Sequence, residues 1–131
     1  MIGLDTNVLV RYIMQDDPEQ SPQASALIES LTAGNAGFIT LVSAVELVWV
    51  LGACYGLGRR QLADALEALL RTRELILEHA EIVLRATSIY RGTKADFADC
   101  LIGEAAASAG CEQTVTFDRG AAKHTGMRLI Q

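Results

Sequence analysis

Apolar positions fall in short runs that alternate with stretches of helical spacing. Ile2 to Leu4 reads as a buried strand ending at Asp5, and Thr6 or Asn7 then caps a helix carrying Val8, Leu9, Tyr12 and Ile13 inward. Asp16-Asp17-Pro18 breaks that helix. Ser21 followed by Pro22 starts another, running to about Ala33 before Gly34. Phe38 to Leu41 reads as a second strand, and Ser43 opens a helix through Leu47, Val50 and Leu51 that ends near Gly56 or Gly58. Leu62, Ala65, Leu66 and Leu69 predict a helix from about Arg60 to Thr72. Leu75 to Leu77 follows as a strand, then helices over Ala80 to Tyr90 and Ala95 to Ser108, the latter closed by Gly110. Thr114 to Phe117 and Met127 to Ile130 are the last strands.

Strands alternating with helices predict an α/β fold, a mostly parallel sheet of four to five strands flanked by helices. With 131 residues the chain suits one domain over 1–131. Half the residues are apolar and only 5% aromatic, so Ala, Leu, Ile and Val do most of the packing, which suits helices on a sheet better than a β-sandwich. No apolar run reaches the length of a membrane span, and the N-terminus has no basic region of the kind that opens a signal peptide. Cys54, Cys100 and Cys111 form no CxxC pair and read as small buried apolar residues in a reducing, cytoplasmic protein.

In parallel folds ligands bind beyond the carboxyl ends of the strands, and Asp5 and Asp118 both stand at such ends. Each also has an ordinary explanation, a helix cap for Asp5 and a turn for Asp118. Glu46 follows Ser43 by three residues, the spacing of a capping box, yet its neighbours Val45, Leu47, Val48, Trp49 and Val50 are apolar, and a carboxylate among them needs a partner. Asp96 and Asp99 share a helix face. Asp96 suits the first turn, whereas Asp99 lies before Cys100, Leu101 and Ile102, which makes it the stronger candidate for chemistry. Thr6 and Asn7 beside Asp5, and Thr116 before Asp118, supply polar support.

Carboxylates gathered at one sheet end repel unless a cation joins them. Oxygen donors without a histidine or thiolate cluster select Mg2+ or Mn2+ over zinc, and such sites suit phosphate-ester hydrolysis. His79 and His124 lack ligand spacing. A glycine-rich phosphate loop and a serine nucleophile elbow are both absent. The net charge of −5 is the opposite of a passive nucleic-acid binder, although nine of the eleven basic residues are arginines, the better bidentate partners of phosphate.

The segments LDTNVLVRYI, SAVELVWVL, DFADCLIGEAAASAGC and VTFDRGAAK, with DDPEQSPQA between the first two, resemble PIN-domain ribonucleases, in particular the VapC-type toxins of prokaryotic toxin–antitoxin pairs. The resemblance runs over essentially the whole chain. It implies a metal-binding, catalytic set of Asp5, Glu46, Asp99 and Asp118, with Asp96 an accessory acid and Thr6, Asn7 and Thr116 in support. It further implies one or two Mg2+ or Mn2+ ions, endonucleolytic cleavage of tRNA or rRNA, a homodimer and a small inhibitory antitoxin. Arg11, Arg91, Lys94, Arg119 and Lys123 are the candidates for guiding RNA phosphates. One departure is that Arg119-Gly120-Ala121-Ala122 lacks the aromatic residue that many relatives place after the last acid. Two rival readings are a phosphatase of the haloacid-dehalogenase kind, which normally wants a second acid where Asn7 stands, and a catalytically silent PIN-fold binding protein.

Overall fold

A computed structural model describes residues 1–131. It is an α/β arrangement of seven helices and five short strands: β1 (Ile2–Gly3), α1 (Thr6–Met14), α2 (Gln20–Glu29), β2 (Gly37–Ile39), α3 (Leu41–Ala53), α4 (Arg59–Arg71), β3 (Leu75–Leu77), α5 (Ala80–Gly92), α6 (Phe97–Ser108), β4 (Val115–Thr116), α7 (Arg119–Thr125) and β5 (Arg128–Leu129). All pairings between these strands are parallel. The strands divide into a three-stranded sheet in the order β1-β2-β3 and a separate β4-β5 pair.

β2 is the central strand, with Gly37 opposite Ile2 on one side and Leu75 on the other. Its place there favours glycine, because a Cβ at Gly37 would stand 2.7 Å from Leu4 Cδ1 and 2.9 Å from Leu31 Cδ1 and would force those side-chain ends to shift. Helical apolar stripes cover the sheet. Leu9, Ile39, Leu47, Leu51, Leu66, Val83 and Phe97 are essentially inaccessible, so α1, α3, α4, α5 and α6 share one core. The buried Thr87 hydroxyl donates to Val83 O, which satisfies it within its own helix.

Several boundaries differ from the sequence expectations for local reasons. Asp5, not Thr6 or Asn7, caps α1: its backbone is extended and its side chain accepts from Thr6 N at 2.8 Å. α2 begins at Gln20, with Pro22 still inside the first turn, where an amide hydrogen has no helical partner to lose, and it ends at Glu29 rather than near Ala33. α3 begins at Leu41, capped by Thr40, whose hydroxyl accepts from Ser43 N at 3.1 Å. Glu46 therefore lies in the second turn and is not the acid of a capping box. The helix α7 has only Ala121 buried and no apolar periodicity to announce it.

The three cysteines do not share one environment. Cys100 is buried, whereas Cys54 and Cys111 are exposed. No helix is long and apolar enough to cross a membrane.

Candidate active site

The parallel order of β1, β2 and β3 sends their carboxyl ends to one edge, where Asp5 follows β1 and α3 departs after β2. α3 packs against both α1 and α6, and α6 packs against α7. Packing thus links in turn the elements that carry or follow Asp5, Glu46, Asp99 and Asp118.

The acids take up a shared motif. Asp5 is the cap residue of α1, Asp96 that of α6 and Asp118 that of α7, while Asp99 lies in the first turn of α6. Four of the five candidate acids thus sit at helix N-termini, where the aligned peptide dipoles favour negative charge. Asp118 accepts from Ala121 N at 3.0 Å, and the Thr116 hydroxyl oxygen accepts from Asp118 N at 3.0 Å. Asp96 makes no cap bond with its side chain, which is exposed.

Two groups emerge. In the first, the buried Thr6 donates its hydroxyl to Glu46 Oε1 at 2.7 Å, tying the start of α1 to α3. Asp5, Thr6, Asn7 and Glu46 line a cavity of about 450 Å³ that also touches Arg11 and Tyr55. In the second group the Asp99 carboxyl titrates above the ordinary carboxylate range, because partial burial penalises its charge and because Asp96 and Asp118 add negative charge nearby. Glu46 itself is exposed, so the desolvation expected from its apolar sequence neighbours is absent: α3 turns Val42, Glu46 and Trp49 outward and Ala44, Leu47, Val48 and Leu51 inward.

The basic candidates separate in the same way. Arg11 is tied down: its Nε donates to Gln20 Oε1 at 2.8 Å, and its Nη1 to Tyr55 OH at 3.1 Å and Asp16 Oδ1 at 3.3 Å. Tyr55 OH donates in turn to Asp16 Oδ2 at 2.7 Å. Arg91 pairs with Asp64 at 2.8 Å and Glu67 at 3.0 Å. Both arginines hold helices together, which the sequence did not announce. Lys94, Arg119 and Lys123 are exposed and form no ion pair.

The donor set suits a hard divalent cation in kind, since every candidate ligand is a carboxylate and Asp99, Asp96 and Asp118 oppose one another's charge. No three His, Cys, Asp or Glu side chains converge on one point to hold an ion.

Two features escaped the sequence reading. Trp49 and Phe117 are 65% and 79% exposed, the first three residues after Glu46 and the second immediately before Asp118. Phe117 supplies an aromatic ring beside the last acid, on the opposite side in sequence from the one expected. Helical spacing carried the Trp49 signal, because a residue three beyond Glu46 shares its face.

The PIN-domain family model matches residues 2–126. The chain belongs to the PIN-domain family. Members of this family are typically metal-dependent nucleases. No curated protein matches the chain. The match takes in β1 through α7 and so includes all five acids of this PIN domain.

Proposed function

We propose that this PIN domain is a cytoplasmic endoribonuclease dependent on Mg2+ or Mn2+, the VapC-type toxin of a toxin–antitoxin pair. Its substrate is tRNA or rRNA, it acts as a homodimer, and a small cognate antitoxin inhibits it. The observation that carries the reading is the proximity of Asp99 to the charges of Asp96 on its own helix and Asp118 on another. A fold gains nothing in stability from carboxylates that oppose each other, so their presence at the N-termini of two neighbouring helices speaks for a ligand of opposite charge.

Asp5, Glu46, Asp99 and Asp118 are the residues that would hold the ion, with Asp96 in an accessory place. When bound, one or two such ions neutralise charge on a scissile phosphate and make water a stronger nucleophile. The chain's own residues supply orientation. The Thr6 hydroxyl holds one Glu46 oxygen, and the backbone amides of Thr6 and Ala121 hold one oxygen each of Asp5 and Asp118, leaving the second oxygens unbonded. Lys94, Arg119 and Lys123, exposed and free of ion pairs, are the candidates for meeting RNA phosphates.

The test is cleavage of total RNA by the purified protein with Mg2+, with Mn2+ and with chelator, followed by sequencing of the new ends. Divalent-dependent ends that vanish in Asp5→Asn and Asp99→Asn are the expected result. Cleavage that survives both substitutions overturns the reading. For the toxin role, co-expression with a short reading frame found directly upstream should restore growth that the protein alone arrests.

A further inference from the structure

The chain has one Trp, three Tyr and three Phe, and of these only Trp49 and Phe117 are exposed. Each lies within three residues of a candidate acid. Exposed large rings cost free energy through unburied apolar area, and a chain that buries or half-buries every other aromatic leaves these two bare beside its carboxylates.

Trp49 is also the wall of a cavity. Between α3 and the start of α6 lies a space of about 240 Å³, lined by Val45, Val48, Trp49, Tyr90, Phe97 and Asp96 among others. Its walls are mainly apolar, and Asp96 brings the acidic site to its rim. That volume is below the range usual for drug-sized ligands and suits a single flat ring. The inner wall is firm. Tyr90 and Phe97 meet edge to face with centroids 5.7 Å apart, and the Arg59 guanidinium lies 4.1 Å above the Tyr90 ring.

Resting on the endoribonuclease reading above, we infer that Trp49 is a nucleobase-stacking residue: a base of single-stranded RNA next to the scissile phosphate packs on its indole at this cavity. Three properties favour RNA over a protein partner on this face. Glu46 interrupts the apolar stripe of Val42 and Trp49, and a dry protein interface would have to desolvate that carboxylate. Lys94, two residues before Asp96, and Arg119, directly after Asp118, are exposed cations that match the charge of a phosphate backbone. Every base has a π face, so an indole accepts any of them without hydrogen-bond readout.

Trp49 is the only tryptophan, so its emission reports contact directly. The Asp99→Asn protein is titrated with a short, mixed-sequence single-stranded oligoribonucleotide in Mg2+, while the anisotropy of a dye on the RNA reports binding separately. Quenching or a spectral shift of Trp49 in step with the anisotropy is the expected result. Binding that leaves the emission unchanged overturns the inference and spares the nuclease reading. Absence of binding and of divalent-dependent cleavage overturns both.

Steady-state cleavage gives the second readout. Trp49→Ala should raise KM about tenfold, the loss of one stacked base, with kcat much less affected, and Trp49→Phe should recover most of it. An unchanged KM in Trp49→Ala overturns the inference. So does a solution mass that falls from dimer to monomer on Trp49→Ala, because Trp49 would then belong to an interface between copies. Trp49 is largely exposed, so both variants should keep the wild-type circular dichroism.

Discussion

The Thr6 hydroxyl donates to Glu46 Oε1 across 2.7 Å and is the side-chain bond that joins the helix after β1 to the helix after β2. Thr6 is buried and Glu46 exposed, so the bond fixes the carboxylate from its protected side and leaves Oε2 without a hydrogen-bond partner. Thr6→Val keeps the shape and removes the donor. The expected outcome is a loss of about 1 kcal/mol in urea denaturation and a fall in divalent-dependent cleavage of roughly 10–100-fold, with Thr6→Ser restoring both. Full cleavage in Thr6→Val would show that the bond does not position Glu46 for catalysis.

Much of this arrangement was legible before any coordinates, for a physical reason. Asp5 and Asp118 interrupt the chain where a strand gives way to a helix, and that punctuation is visible in Leu4-Asp5-Thr6 and Phe117-Asp118-Arg119. Asp99 could be separated from Asp96 because it lies further into an apolar helix. Glu46 was harder. The run from Val45 to Leu51 is apolar nearly all round, so it hides which face is solvated, and Ser43 imitated a cap that belongs to Thr40. Spacing along the chain also says nothing of the bonds that occupy Arg11 and Arg91, because Tyr55 arrives from the turn after α3, and Asp64 and Glu67 from α4.

The thiols should react in two classes. Cys54 and Cys111 are exposed, whereas Cys100 is buried and burial pushes its thiol up to about 11, leaving almost no thiolate at neutral pH. A maleimide or disulfide reagent on the native protein should modify Cys54 and Cys111 within the dead time of slow labelling, with Cys100 reacting only in denaturant. Peptide mass spectrometry reads this directly, and early modification of Cys100 would contradict the packing around Phe97 and Leu101.

Gly37→Ala tests how the central strand sets the site. The added Cβ meets three buried leucine ends, Leu4, Leu31 and Leu75, at 2.7 to 3.0 Å. None has open solvent to move into, so the expected cost is about 1–3 kcal/mol. Leu4 immediately precedes Asp5, and displacing it shifts the α1 cap. Cleavage should therefore fall even at temperatures where the variant stays folded. A variant as stable and as active as wild type would mean that the three side chains relax freely.

The metal-free protein should be strained by Asp99. Its carboxyl titrates above its ordinary value because of burial, then Asp96, then Asp118, so between the unfolded and the folded value the native state binds more protons than the unfolded chain. Stability then falls as pH rises through that window and stays lower above it, the reverse of a salt-bridged aspartate. In chelator at neutral pH, Asp99→Asn should raise the melting temperature, and the gain should shrink as pH drops from the raised folded value toward the ordinary value of 3.8 and vanish below it. Asp96→Asn removes one of the opposing charges and should lower the Asp99 value in a carboxyl NMR titration. Mg2+ should stabilise the wild type and reverse the order, since binding to the native state adds stability that the Asp99→Asn protein cannot gain in full. If Mg2+ raises both melting temperatures equally, Asp99 is not among the groups that hold the ion.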